Sequence, residues 1–383
     1  MKKLTSIIAF LLASVLLFSA CGVGGANNGT TPAETTVEVT TPQETTPTVT
    51  TPEETTPEET TPEVTLPDPV PLEPACAHQF TKRIVLEQVT TQVDGKIANV
   101  CGNCGGWEEE ILPAVKSLKI LAIGNSFSNN ALEFLPILAK ELGIEEIIVG
   151  KLYVGGCTVD GHWSRAQSGA DYESFQVNTT GDENWTTYPA GQRNLKFALE
   201  LYDWDIITMQ QGSPMSGVSS SLGNLQNLID FVNQNKTNPN AKLYWHMTWA
   251  YSQFSNHSGF VNYENDQMTM YNAIVDLSQN HIDTNDNFTG IIPAGTAIQS
   301  FRGNSIENKT FEGQYVTSDG YHLQTYGRVL VSMTWLKTLT GLSLDSITCR
   351  SNSKVSFASA YAKMFRKIAD NAYLNPYEVI PRS

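Results

Sequence analysis

Two short stretches carry groups that could form one hydrolytic centre. Ile123-Gly124-Asn125-Ser126-Phe127-Ser128 places a serine between an apolar run and a helix-like one. Far downstream, Ser318-Asp319-Gly320-Tyr321-His322-Leu323 places a carboxylate and an imidazole three residues apart. A serine hydroxyl is a weak nucleophile. It needs an imidazole to take its proton, and the imidazole needs a carboxylate to fix its tautomer and stabilise its charged form. Each stretch alone has a plainer use, since Ser126 or Ser128 could cap a helix and a D-x-x-H pair could be a cap or a metal-binding pair. Together they assign Ser126 as nucleophile, His322 as base and Asp319 as its orienting acid. No G-x-S-x-G elbow is present.

Such groups must be carried by elements that bring distant residues to one edge. From Leu118 onward apolar runs alternate with helical spacing. Strands are expected at Lys119–Ile123, Glu146–Leu152, Asp205–Met209, Lys242–Met247 and Gly290–Ile292. Helices are expected over 131–142, 195–201, 222–235, 263–279, 329–339 and 358–372. That alternation predicts an α/β domain over residues 115–383, in three α/β/α layers around a mostly parallel sheet. Ligands of such sheets bind beyond the carboxyl ends of the strands, where Ser126 falls. Cys157, beside a Gly-Gly turn, reads as a small buried residue. No metal-ligand cluster stands out in this domain, and none is needed for its chemistry.

Residues 75–114 stand apart as a β-rich module with Cys76-Ala77-His78 and Cys101-Gly102-Asn103-Cys104. Extended segments are expected at Thr81–Glu87, Ile97–Val100 and Trp107–Leu112, with a turn at Asp94-Gly95. So small a unit needs a staple. C-x-H with C-x-x-C suits a tetrahedral structural zinc on Cys76, His78, Cys101 and Cys104; a disulfide among the three cysteines is the alternative. The stretch resembles short Cys/His modules of secreted clostridial surface proteins.

The first residues read as an export signal: Lys2 and Lys3, then an apolar run from Ile7 to Phe18 that is short for a membrane span. Leu17-Phe18-Ser19-Ala20-Cys21 resembles a bacterial lipobox, with Phe18 a departure from its usual aliphatic residue. Residues 1–20 are then a signal peptide and Cys21 the lipidated residue, an ordinary secretory signal being the alternative. Residues 21–74 repeat Thr-Thr-Pro-Glu-Glu with little apolar content, the composition of a disordered, extended tether. Residues 27–74 hold nine Glu and one Asp without Lys or Arg, so most of the formal net charge of −15 belongs to the tether. What remains is mildly acidic and argues against a nucleic-acid partner.

The G-N-S opening and the closing D-x-x-H resemble the SGNH/GDSL hydrolases. Gly155-Gly156-Cys157, His162-Trp163, Asp203-Trp204-Asp205, Gln210-Gln211-Gly212, the stretch His246 to Tyr251 and Ile292 to Gln299 are similar to one branch of them, DUF4886. The resemblance implies a flavodoxin-like sheet and an oxyanion hole with Gly156 as one donor. Pro214 stands where most members carry the Asn that completes the hole, which turns attention to the side chains of Gln211 or Gln210. It also brings His162, His246 and Trp249 forward as substrate-binding groups near strand ends, since aromatic rings in a cleft suit sugar rings. The expectation is an outward-facing membrane lipoprotein that hydrolyses an O-acyl, most simply O-acetyl, ester of a carbohydrate. It would touch the membrane only through its lipid. Acyl transfer on the same fold, or a carbohydrate-binding protein with a degenerate site, are the competing readings.

Overall fold

The computed structural model describes residue 72 and residues 76–382; the signal segment, Cys21 and nearly all of the tether lie outside them. The small module is a three-stranded antiparallel sheet of β1 (Phe80–Glu87), β2 (Gly95–Cys101) and β3 (Trp107–Leu112), with β2 in the middle. It packs on the larger domain. The Arg83 guanidinium donates to the Tyr373 carbonyl (2.9 Å), and the Gln88 amide donates to the Gly341 carbonyl (2.8 Å).

The larger domain runs β4 (Ser117–Gly124), α1 (Ser126–Leu132), α2 (Leu135–Glu141), β5 (Glu146–Tyr153), α3 (Val159–Ser168), β6 (Ser174–Asn178), β7 (Thr186–Thr187), α4 (Leu195–Glu200) and β8 (Ile206–Met209). It continues through α5 (Leu225–Asn235), β9 (Lys242–His246), α6 (Gln267–Leu277), β10 (Gly290–Ile292), α7 (Ala294–Arg302), the single turn α8 (Lys309–Phe311), α9 (Thr325–Thr340) and α10 (Ala362–Leu374). The domain is thus mixed α/β. Its seven-stranded sheet has the order β10-β9-β8-β4-β5-β6-β7. The pairs from β10 through β5 are parallel, and β6 and β7 extend the sheet antiparallel.

Counted among the five parallel strands, the order is 2-1-3-4-5, which reverses direction between β4 and β8. Chain entering and leaving there opens a crevice at the carboxyl ends. β4 (Ser-Leu-Lys-Ile-Leu-Ala-Ile-Gly) is buried from Ile120 to Gly124 on both faces, as an interior parallel strand must be. Helices α1, α2, α7, α9 and α10 pack together, as do α3, α4 and α5. Helix α9 is buried nearly all round, Val329 through Thr338 included.

The single helix expected over 131–142 is two. Pro136 has no N–H, and its ring would meet the carbonyl of Leu132 four residues back, so the chain breaks at Glu133-Phe134 and restarts with Pro136 in the first turn. Strands β6 and β7 and helices α3, α7 and α8 were not among the expected elements. Among the described residues no helix is long and apolar enough to cross a membrane.

Candidate active site

Chain leaving β4 turns at Asn125, whose extended backbone caps α1 and whose Oδ1 accepts the Phe127 N–H (3.0 Å). Because Asn125 does the capping, Ser126 is spared for other work. Its Oγ lies 2.8 Å from His322 Nε2. Ser128 is buried and donates its hydroxyl to the Asn125 carbonyl (2.9 Å), so of the two serines only Ser126 meets the imidazole.

The loop that carries Asp319 and His322 is closed by a bridge between Thr317 and Leu323 and by the Ser318 N–H on the His322 carbonyl (2.9 Å). Gly320 sits at φ +92°, and a Cβ there would come 2.7 Å from Ser255 Cα, so this position demands glycine twice over. The Leu323 N–H donates to Asn130 Oδ1 (2.8 Å), which ties the loop to α1 one turn beyond Ser126. Upstream, a fully buried pair anchors the loop's base. Arg302 makes a fork of two bonds to Glu312 (3.0 and 2.9 Å) and donates to the Ala250 carbonyl, and Glu312 also accepts the Thr317 hydroxyl (2.8 Å).

Asp319 Oδ2 is 2.7 Å from His322 Nδ1, and its Oδ1 accepts the backbone N–H groups of His322 (2.7 Å) and Tyr321 (3.1 Å). Partial burial works to raise the Asp319 pKa. The bonds from His322 and Tyr321 outweigh it and hold the carboxyl below its ordinary range. An ionised Asp319 accepts the proton on Nδ1. That leaves Nε2 as the acceptor for the Ser126 hydroxyl, the tautomer that general-base catalysis requires. His322 and Asp319 keep about a third of their side-chain surface or more in solvent, at 32% and 40%.

Three loops meet beneath Ser126. Asn125 Nδ2 lies within 3.2 Å of the Cys157 carbonyl and 3.5 Å of the Gln211 carbonyl, joining the ends of β4, β5 and β8. Gly156 is exposed and left-handed at φ +61°. Among the described residues, neither its N–H nor that of Ser126 is spent on a protein acceptor.

Five expected site residues need correction. The Gln211 amide nitrogen is committed to the Ser221 carbonyl (3.1 Å) and hydroxyl (2.9 Å), while its oxygen accepts the Val159 and Gly212 N–H groups; it shapes the loop and has no donor left for an oxyanion. Gln210 donates to Asn125 Oδ1 (2.7 Å) and accepts from His246 Nδ1 (2.8 Å). His246 and His162 are buried, not cleft-facing, and burial pushes each down to about 3, so both are neutral. His162 Nδ1 pairs with the Tyr172 hydroxyl at 3.0 Å. Trp249 is also buried. It stacks flat on Phe127 (centroids 4.2 Å apart) and donates to the Tyr321 carbonyl (2.8 Å), bracing both halves of the triad from below. The rings beside the imidazole are others: Tyr321 at 4.4 Å from His322, with His257 4.8 Å beyond. Tyr321 lies inside the D-x-x-H block and could have been noticed there; nothing in sequence marks His257. Cys157 is buried as expected, which pushes its thiol up to about 11.

Residues 119–371, some two thirds of the chain, match the family described as Domain of unknown function (DUF4886). The chain belongs to the DUF4886 family. It is similar to a crystal structure of a DUF4886 family protein from Bacteroides uniformis ATCC 8492, at 32% identity and a TM-score of 0.59, over 69% of this chain and 97% of that one. No curated protein matches the chain. Ser126, Asp319 and His322 all fall inside the DUF4886 region, whereas the Cys/His module precedes it.

In that module the ligand atoms of Cys76, His78, Cys101 and Cys104 lie within 4.8 Å of one another, a cluster that could hold a metal ion. The Cys76 and Cys101 sulfurs are 3.8 Å apart, and Cys104 Sγ is 3.7 Å from His78 Nδ1. Tetrahedral coordination at the usual zinc bond lengths puts two thiolates ~3.8 Å apart and a thiolate and an imidazole nitrogen ~3.6 Å apart. The thiols are driven apart: burial and the neighbouring Cys104 and Cys101 sulfurs push Cys76 up to about 12, whereas at Cys101 N–H donors from Cys104 and neighbours, with His78, outweigh burial and bring it down to about 6. The donor set and its spacing therefore fit such an ion.

Proposed function

We propose that this chain is a serine esterase with an SGNH-type hydrolase fold, acting on an O-acyl, most simply O-acetyl, ester of a carbohydrate outside the cytoplasm. The observation that carries this reading is the unbroken chain Ser126 Oγ–His322 Nε2 (2.8 Å) and His322 Nδ1–Asp319 Oδ2 (2.7 Å). Its position at the sheet's topological switch adds support. In this reading Ser126 Oγ attacks the acyl carbon while His322 Nε2 takes its proton. The uncommitted N–H groups of Ser126 and Gly156 receive the charge that develops on the carbonyl oxygen. His322 returns the proton to the departing sugar oxygen, leaving acyl-Ser126. Water, deprotonated by His322, then attacks the acyl carbon, and His322 returns that proton to Ser126 Oγ as the acid departs. Asp319 stays ionised throughout and steadies the imidazolium.

Transfer to a second sugar hydroxyl would use the same groups, but the solvent exposure of His322 and Asp319 favours water as acceptor. Cys76, His78, Cys101 and Cys104 would hold a structural zinc, leaving catalysis to the triad. Cys21 would carry the lipid that tethers the domain to the outer face of a membrane. The test is turnover of a small acetyl ester by the purified chain, with Ser126→Ala and His322→Ala each expected to remove most of it. Equal turnover by wild type and Ser126→Ala would end the proposal.

A further inference from the structure

A cavity of about 430 Å³ is lined by two elements that already serve the site, and by Asn130, which holds the loop of His322 through the Leu323 N–H. Asn129, which lines it, stands three residues after Ser126 on α1. Lys151 lines it from β5, two residues before Tyr153 on the same face, and that strand runs into the Gly155-Gly156 turn. One helical turn is ~5 Å and two strand residues ~7 Å, so a sugar or two would bridge from the nucleophile to this cavity.

Two groups in it want partners that the protein does not give. The Lys151 ammonium lies 4.0 Å over the Trp185 ring, and among the described residues it has no hydrogen-bond acceptor. The carboxylate that faces it, Glu133, is bonded to the Arg328 guanidinium. Asn129 Oδ1 is buried with nothing to accept from. Lys354 and Arg328 are further cations at the lining, against the carboxylates of Glu133 and of Glu183, which accepts from the neutral Asn352 amide (3.4 Å), so cations outnumber acids there. An ammonium without a protein acceptor and a carbonyl without a donor, at the lining of one cavity, ask for a ligand with both an anion and a hydroxyl.

We infer that this cavity is a subsite for an anionic sugar residue, a uronate in the simplest case, with its carboxylate on Lys151 and a hydroxyl on Asn129. The inference rests on the esterase reading for its place in catalysis, while the binding itself does not. Burial of Lys151 lowers its pKa to about 8, so the amine remains mostly charged at neutral pH, and a bound carboxylate would reinforce that charge.

The experiment has two arms. In the first, full-length Ser126→Ala is titrated calorimetrically with oligogalacturonate, a sulfated oligosaccharide and a neutral oligoxyloside of equal length. Binding of either anionic ligand at least tenfold tighter than the neutral one is expected, with Lys151→Met removing most of the difference and Lys151→Arg retaining it. In the second, active protein is given acetylated oligogalacturonate and acetylated oligoxyloside. The ratio of their kcat/KM should fall tenfold or more in Lys151→Met, chiefly through KM. Equal binding of charged and neutral ligands, or a preference indifferent to Lys151, overturns the subsite. Charge-selective binding without turnover of any ester overturns the esterase reading and leaves the subsite standing.

Discussion

Replacing Gln210 with leucine tests whether the nucleophile's turn is held by a buried polar chain. His246 at the end of β9 donates to Gln210, and Gln210 donates to Asn125, which caps α1 directly before Ser126; all three side chains are at most 2% exposed. Leucine keeps much of the volume but orphans the His246 Nδ1 proton in a site whose other ring nitrogen already lacks a partner. A buried donor left unsatisfied costs ~1–3 kcal/mol and each lost net bond ~1 kcal/mol, so a loss of about 2–4 kcal/mol is expected in urea unfolding. Removing His246 as well, in Gln210→Leu/His246→Leu, takes away the orphan. The double variant should therefore be less destabilised than the sum of the singles by ~1–2 kcal/mol. Because Asn125 would lose its outer brace, kcat on a small acetyl ester should fall at least tenfold while KM changes little. A Gln210→Leu protein within about 0.5 kcal/mol of wild type, or strictly additive singles, would refute the chain.

Three further outcomes follow from the same contacts. Purified chain should contain about one zinc, and chelation should destabilise the Cys/His module without abolishing ester turnover; metal-free protein carrying a disulfide among Cys76, Cys101 and Cys104 would contradict this. Glu312→Gln should destabilise by ~3–5 kcal/mol, because it leaves the fully buried Arg302 charge uncompensated beneath the Asp319 loop; a neutral effect in thermal unfolding would show that the pair carries little. His162 stays neutral when folded, with its pKa pushed down to about 3, whereas in the unfolded chain it protonates near its ordinary value. Its contribution to stability is therefore whole above about pH 6.5 and drains away as pH falls toward 3, by ~2 kcal/mol at pH 5. His162→Leu should lose correspondingly less stability than wild type between pH 7 and pH 5, and parallel losses would refute the assignment.

What was legible in the chain follows from what sequence encodes locally. The five parallel strands were visible because interior strands must be apolar on both faces, as Ile120–Ile123 and Ile206–Met209 are. Ser126, Asp319 and His322 were visible because their chemistry restricts residue type and spacing. The direction in which a polar side chain points at a strand end was not. Periodicity puts His246 and Gln211 beside the crevice, but only the finished packing shows the one turned toward Gln210 and the other toward Ser221. β7 escaped because the two residues Thr186-Thr187 leave no pattern of their own, whereas β6 carries a short alternation, Phe175 and Val177 inward, that could have been read. The pairing of Lys151 with Trp185 joins residues of separate elements, and no local signal announces it.

The most direct test of the central claim is covalent. A serine-directed phosphonate needs a nucleophile that an adjacent base has deprotonated, and it needs oxyanion donors around the phosphoryl oxygen. Incubated with the full chain and mapped by peptide mass spectrometry, it should modify Ser126 alone. Labelling should vanish in His322→Ala and leave buried Ser128 untouched. Modification of Ser128 or Cys157, or a folded chain that takes no label and turns over no acetyl ester, would contradict the account.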